Sequence, residues 1–204
     1  MKPNYIIFPD ASLKRCGNTR EYCGYGVVVL DTSTNQYITD SDELHGKTIA
    51  YGEGYAVYRG LQLIESFRRS GKGRCKVLVV SDSKTTVNAF NVWMRRSWNM
   101  SDYSSWTKRN GDPVRNQKVF RLILNWCASH SYKMKIVHIY AHSERDAELR
   151  TAIRKRMSAY RVKINDATLD VFIQLNQLAD QLANAAASYY KATDGIIERL
   201  IPIR

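Results

Sequence analysis

The run "CKVLVVSD", from Cys75 to Asp82, constrains this chain most. It is apolar without alternation and has the length of a strand, as expected for a central strand covered on both faces. Elements able to cover it lie on either side in sequence. Upstream, "NYIIFPDAS", "YGVVVLD" and "NQYITDSDEL" read as three strands, and their short connections indicate an antiparallel meander. Downstream come helices in "SKTTVNAFNVWMRRSW" and "VFRLILNWCASH", a last strand in "YKMKIVHIY", a basic helix in "AELRTAIRKRMSAYRV" and a final helix in "LNQLADQLANAAASYY". The order predicts an α/β fold, a mixed sheet with helices on its faces.

Between the third and fourth strands, "TIAYGEGYAVYRGLQLIESFRRSG" reads as a helix capped by Thr48 and ended by Gly71. Its apolar stripe, Ala56, Val57, Gly60, Leu61 and Ile64, carries Glu53 on the same face. Gly52 and Gly54 flank that acid and each cost a helix roughly 1 kcal/mol relative to alanine, so they point to close backbone approach on either side of it.

At 204 residues, with 44% hydrophobic content, the chain suits a single domain with insertions. A formal charge of +12 makes a polyanion the leading partner class. The four cysteines, Cys16, Cys23, Cys75 and Cys127, form no CxxC pair, and reduced structural thiols are expected. Neither a signal peptide nor a membrane-length apolar run is present, so a soluble, intracellular and cytoplasmic protein is expected. A monomer is expected as well.

Asp10 follows the apolar start of the first strand and Asp82 ends the fourth. In open α/β sheets ligands gather at the carboxyl ends of strands. Were those strands neighbours, the two acids would meet at one sheet edge, with Glu53 from the helix stripe and Asp180 from the last helix converging on them. Packed like charges repel, and a hard divalent cation relieves that repulsion through oxygen ligands. Two such ions roughly 4 Å apart activate water and stabilise the leaving oxygen in phosphodiester hydrolysis. Taken singly, Asp82 reads equally as a helix cap and Glu53 or Asp180 as a solvated helix residue.

Together these stretches resemble type 1 ribonuclease H. "IFPDAS" is similar to the family's first strand with its aspartate, and "CGYGVVV" to the opening of its second. "TIAYGEGYAVYRGL" resembles the glutamate helix, "VVSDS" the fourth-strand Asp-Ser signature, and "NQLADQLANAA" the Asn-x-x-x-Asp helix, with Asn176 and Asp180 on one face. The resemblance implies a ribonuclease H-like fold whose five-stranded sheet has three antiparallel strands followed by two parallel ones. It also implies that Asp10, Glu53, Asp82 and Asp180 bind two Mg2+ ions, with Mn2+ as a substitute, to hydrolyse the RNA strand of RNA/DNA hybrids. His142, after the last strand, matches a histidine that assists proton transfer and product release.

"WTKRNGDPVRN", residues 106–116, is similar to part of the bacterial-type basic protrusion, here about 93–116, that grips the DNA strand of the hybrid. Arg95, Arg96, Lys108, Arg109 and Arg115 interleave there with Trp93, Trp98 and Trp106, combining phosphate neutralisation with aromatic surfaces, and Asn116 closes the segment. At least one of these tryptophans, Trp93 foremost, is expected in the core. Asn18, Thr48, Lys84 and Asn176 complete the expected nucleic-acid contacts.

The chain departs from the family in four places. A basic segment, about 143–175 with Arg145, Arg150, Arg154, Lys155, Arg156 and Arg161, separates His142 from the last helix, and a short extension occupies about 190–204. Where family members commonly carry asparagines that contact RNA 2'-hydroxyls, Ile49 and Ala50 follow Thr48. Lys84 stands in place of a frequent glutamine. Two alternatives follow: a nuclease of the same fold acting on DNA junctions or double-stranded RNA, and a non-catalytic nucleic-acid-binding module.

Overall fold

The structure is a computed structural model and describes residues 3–16, 20–68, 74–93, 106–107, 110–139, 147–159 and 164–192. Strands β1 (Tyr5–Cys16), β2 (Arg20–Asp31), β3 (Tyr37–His45), β4 (Cys75–Ser81) and β5 (Tyr132–His138) form one sheet in the order β3-β2-β1-β4-β5. β1, β2 and β3 pair antiparallel, while β4 and β5 join β1 in parallel, as expected. The helices are α1 (Ile49–Phe67), α2 (Lys84–Asn88), α3 (Gln117–Ser129), α4 (Ala147–Ala159) and α5 (Asp166–Ala192).

Alternation along the strands sends side chains to opposite faces, and here both faces are apolar. Ile7, Val27, Val29, Val77 and Val79 point to a core closed by Ala56, Val57, Leu61 and Ile64 of α1 and Val119, Phe120 and Ile123 of α3. Ile6, Phe8, Val28, Leu30, Leu78 and Val80 point the other way, against Ile153 and Met157 of α4 and Leu169, Phe172 and Ala179 of α5. The sheet therefore lies between two cores, which is why β4 reads as an unbroken apolar run.

Three helices differ from the sequence reading. The first, α1, ends at Phe67 with Arg68 as its extended C-cap, before the expected stop at Gly71, which lies outside the described residues. The helix after β4 is α-helical only over α2 and then widens into a π-helical turn, Ala89–Trp93. Phe90 is buried in this turn, and Asn91 Nδ2 donates to the Ile136 carbonyl at 3.0 Å, tying the backbone to β5. The last helix begins at Asp166, well before Leu175. Asn165 accepts from the Thr168 N–H at 2.8 Å as an N-cap, and Leu169, Phe172 and Ile173 carry the apolar stripe of the added turns.

α5 reaches the sheet through a glycine notch. A Cβ placed on Gly24 would lie 2.3 Å from the Ala187 nitrogen, and one on Gly26 2.2 Å from the Ala179 carbonyl oxygen. Both distances are well inside van der Waals contact, so only glycine lets this helix seat. Cys23, Cys75 and Cys127 are free thiols.

Candidate active site

β1 and β4 pair only through Tyr5↔Val77, Ile6↔Leu78 and Ile7↔Val79. Beyond that point the strands part, and Asp10 and Asp82 each lie three residues past the last paired position on their strand. The opening is a topological switch point, because the strand order β3-β2-β1-β4-β5 reverses between β1 and β4, the chain leaving β1 toward one side and β4 toward the other.

Glu53 enters this opening from the first turns of α1. Thr48 caps the helix, its hydroxyl accepting from the Tyr51 N–H at 3.3 Å. Close approach then does the positioning. A Cβ on Gly52 would come within 2.7 Å of the Ala11 Cβ, and one on Gly54 within 2.9 Å of Val119 Cγ1. The glycines flanking the acid thus let α1 settle against β1 and α3, as the sequence indicated.

Oxygens of Asp10, Glu53 and Asp82 all lie within 4.8 Å of one another. Asp10 and Glu53 are buried, at 7% and 5% exposure. Burial, then the charge of Asp82 and that of Asp180, push the Asp10 carboxyl up to about 8, against a hydrogen bond from the Ala11 N–H at 2.7 Å. Glu53 is driven well above the carboxylate range by burial and then by Asp10 and Asp82. Glu53 Oε2 is buried and makes no hydrogen bond. An orphaned buried oxygen facing two more carboxylates is costly unless a cation joins it. Hard oxygen donors fit a divalent ion such as Mg2+, and these residues suit that group.

Asp82 does not cap α2. Ser83 does, its Oγ accepting from the Thr86 N–H at 3.3 Å. Asp180 lies on α5 beside Asp10, near enough to raise it through charge and hydrogen bonding, and remains exposed. One turn on, Asn184 Nδ2 donates to Asp180 Oδ1 at 2.8 Å and to its carbonyl at 3.0 Å, and Ser12 Oγ donates to Asn184 Oδ1 at 2.7 Å. The sequence reading did not single out Ser12 or Asn184. The four-residue spacing Asn176, Asp180, Asn184 was the available signal.

His138 closes the other side. Arg156 Nη1 donates to His138 Nδ1 at 2.8 Å and to its carbonyl at 3.2 Å. Because a guanidinium only donates, Nδ1 is the acceptor. The proton then sits on Nε2, which donates to the Asp82 carbonyl at 3.0 Å. Burial, with Arg156 and Lys84 nearby, lowers the His138 pKa below its ordinary value and favours this neutral form.

Of the expected nucleic-acid contacts, Lys84, Thr48 and Arg115 are exposed. Asn116 holds a left-handed backbone, φ 63°, at the start of α3. Asn176 is buried, with Oδ1 making no hydrogen bond. Trp106, expected on the gripping surface, is instead a core residue at 0% exposure. Gln117 Nε2 donates to its carbonyl at 2.8 Å, and Thr107 bridges Pro113, which folds the segment inward. Trp106→Phe should therefore cost about 1–3 kcal/mol of stability and leave the salt dependence of nucleic-acid binding unchanged, as read by denaturant melts beside binding titrations. Trp93 ends the π-helical turn, and its side chain lies outside the described residues, as do Asn18, Arg95, Arg96, Trp98, Lys108, Arg109 and His142.

In the basic segment, Arg150 binds Asp170 at 2.8 Å and Asp166 at 3.5 Å, and Arg154 pairs with Asp166. These two arginines join α4 to α5. Arg145 and Arg161 lie outside the described residues.

A five-stranded mixed sheet of this order, opening onto clustered carboxylates, is a ribonuclease H-like fold. The RNase H family model matches residues 2–188, and the chain belongs to that family. Prototype foamy virus protease-reverse transcriptase superposes with TM-score 0.59 and 16% identity, over 96% of this chain and 21% of its own. The chain thus spans about a fifth of that longer protein. LC9-RNase H1, a type 1 RNase H with the type 2 active-site motif, gives 0.57 and 16% over 93% of this chain and 74% of its own. LC11-RNase H1 in complex with RNA/DNA hybrid gives 0.50 and 20% over 77% and 99%. No curated protein sequence matches the chain. Among the described residues, no helix is long and apolar enough to cross a membrane.

Proposed function

We propose that this chain is an endonuclease that hydrolyses the RNA strand of RNA/DNA hybrids, with two divalent cations, Mg2+ or in its place Mn2+, held by Asp10, Glu53, Asp82 and Asp180. The observation that carries this reading is the meeting of three carboxylates, two of them buried, with an oxygen of Glu53 unpartnered. When bound, such ions offset phosphate charge and make water a competent nucleophile at neutral pH. The protein's own contribution is placement. Asp10 and Glu53 are fixed by buried backbone, and exposed Asp180 is steadied through Asn184 and Ser12. His142 is the proposed proton carrier and aid to product release, because imidazole titrates near neutrality. Free thiols at Cys23, Cys75 and Cys127 suit an intracellular, cytoplasmic setting. A single domain with a basic protrusion, a basic segment after β5 and a C-terminal extension completes this reading, and the unit is proposed to be a monomer.

A second reading has its own observation. Ile49, 46% exposed at the start of α1, presents an aliphatic side chain where a 2'-hydroxyl contact would be made, which weakens selection for RNA and favours a substrate such as a DNA junction, with double-stranded RNA the other duplex to be tested. One panel separates the two. Labelled RNA/DNA hybrid, duplex RNA, single-stranded RNA, duplex DNA and a four-way junction are incubated with Mg2+ or Mn2+, with Asp82→Asn as control. The proposal expects cutting of the hybrid's RNA strand, leaving 3'-hydroxyl and 5'-phosphate ends. Cleavage of another duplex or the junction with the hybrid left intact transfers the chain to the second reading. Binding without cleavage of anything marks a non-catalytic module.

A further inference from the structure

A cavity of about 390 Å³ opens beside the carboxylate cluster, on the far side of Asp82. Lys84 and Asn88 of α2, Asn91 of the π-helical turn, His138 at the end of β5 and Arg156 of α4 line it, and among the described residues no carboxylate does. Its volume falls in the range of small-ligand sites, roughly 300–1,000 Å³. Val87 and Val137 form its apolar floor, and the charged groups on it are of one sign. Lys84 brings an exposed ammonium, Arg156 a guanidinium, and Asn88 an amide donor.

The cavity is also built. Arg156 Nη1 is held on His138 Nδ1 and its carbonyl, and His138 is held in turn on the Asp82 carbonyl. The guanidinium is thereby fixed in position relative to the strand end that carries Asp82. α4 itself is anchored by Ile153 and Met157 in the core and by Arg150 and Arg154 on α5. The basic segment thus delivers one cation to this wall, while its neighbours on the helix serve packing.

We propose that this cavity is an anion site for a single backbone phosphate of the strand being cut, next to the phosphate at the carboxylates. Lys84 and Arg156 neutralise it, and Asn88 donates to it, while Asn91, held on the Ile136 carbonyl, shapes the wall. This rests on the reading of the chain as a nucleic-acid enzyme and adds the means by which the strand is held in register. Arg is suited to the task because its planar fork matches phosphate oxygens. Lys84, which departs from the glutamine frequent at that position, becomes intelligible as half of a charge pair with Arg156.

The test uses the full chain in EDTA, so that binding is read without cleavage. Anisotropy of a labelled RNA/DNA hybrid is followed against salt for wild type, Lys84→Ala, Arg156→Ala, Arg156→Lys, the double alanine variant, and Lys133→Ala at the opposite end of β5. Each alanine at the cavity should weaken binding and flatten the slope of log K against log salt by about 0.9, with about twice that for the pair. Arg156→Lys should retain the slope, and Lys133→Ala should leave it unchanged. Neutral methylphosphonate linkages are then scanned along the strand. One linkage beside the cut should weaken binding to wild type and have no effect on the double variant. An equal penalty at every linkage for both proteins, or unchanged slopes for both single variants, overturns the proposal. Should Arg156→Ala lose its circular dichroism signal, exposed Lys84 carries the test alone. Cleavage is scored separately: a chain that cuts another duplex is scanned on that duplex, and a chain that cuts nothing but shows the single-linkage loss keeps the cavity and loses the nuclease reading.

Discussion

Asp10→Asn is expected to abolish cleavage while making the cation-free protein more stable. The loss of rate should be about three orders of magnitude, corresponding to the several kcal/mol that charge stabilisation by a bound ion supplies. The gain in stability has the same origin. The Asp10 carboxyl is pushed up to about 8 by burial and by the charges of Asp82 and Asp180. A carboxyl raised in the folded state favours folding fully below its ordinary value near 3.8, and that contribution disappears as pH rises through about 8. The melting temperature of the asparagine variant in EDTA should exceed that of wild type by an amount that grows between pH 4 and pH 8, each kcal/mol being worth roughly 2–4 °C in a chain of this size. Mg2+ should close the gap by stabilising wild type alone. A gap that shrinks with rising pH would contradict this account of the cluster.

Gly26→Val should be the most damaging change to the fold. A Cβ there would lie 2.2 Å from the Ala179 carbonyl oxygen, 2.6 Å from the Ala183 nitrogen and 2.8 Å from the Leu182 Cβ. The two nearest are backbone atoms of α5, which cannot rotate away, so the helix must lift as a rod. The expected cost exceeds about 4 kcal/mol, a magnitude reserved for named structural conflicts. Because Asp180 follows Ala179, lifting α5 also withdraws Asp180 from Asp10, and activity should fall further than the folded fraction accounts for. Adding Ala183→Gly should not rescue either property, since the conflict is with backbone. Urea melts and cleavage assays on the single and double variants decide this, and recovery in the double variant would refute it.

Much of this site is legible along the chain because its parts are local. An acid after an apolar strand start, a threonine that starts a helix, and glycines on both sides of a glutamate are signals a few residues long; Thr48 and Glu53 behave as those signals indicate, while Asp10 stands inside β1, which runs on to Cys16 beside β2. Even so, Asp82 before a helix is ambiguous until Ser83 is seen to occupy the cap. Trp106 shows the opposite limit. Lysine and arginine surround it in sequence, yet the Thr107–Pro113 bridge turns it into the core, and nothing within the segment announces which way an indole among basic residues will face. The arginines of α4 were equally unreadable. Arg150 and Arg154 look like Arg156 in a list of cations, but the first two meet Asp166 and Asp170 while the third meets His138.

The sequence by itself determined the order of the elements and the apolar layering on either side of β4, and it singled out the three acids, Asp10, Glu53 and Asp82, that the structure brings together, because periodicity, caps and breakers act over a few residues. Only the tertiary structure decided that β1 and β4 part after Ile7↔Val79, so that Asp10 and Asp82 face one opening, and that α4 docks where its Arg156 and the Lys84 of α2 share one cavity. The physical reason is range. Pairing register and helix docking are settled by contacts between residues far apart in the chain, here Gly26 with Ala179 and Arg156 with His138, and no local pattern encodes which distant partner will be met.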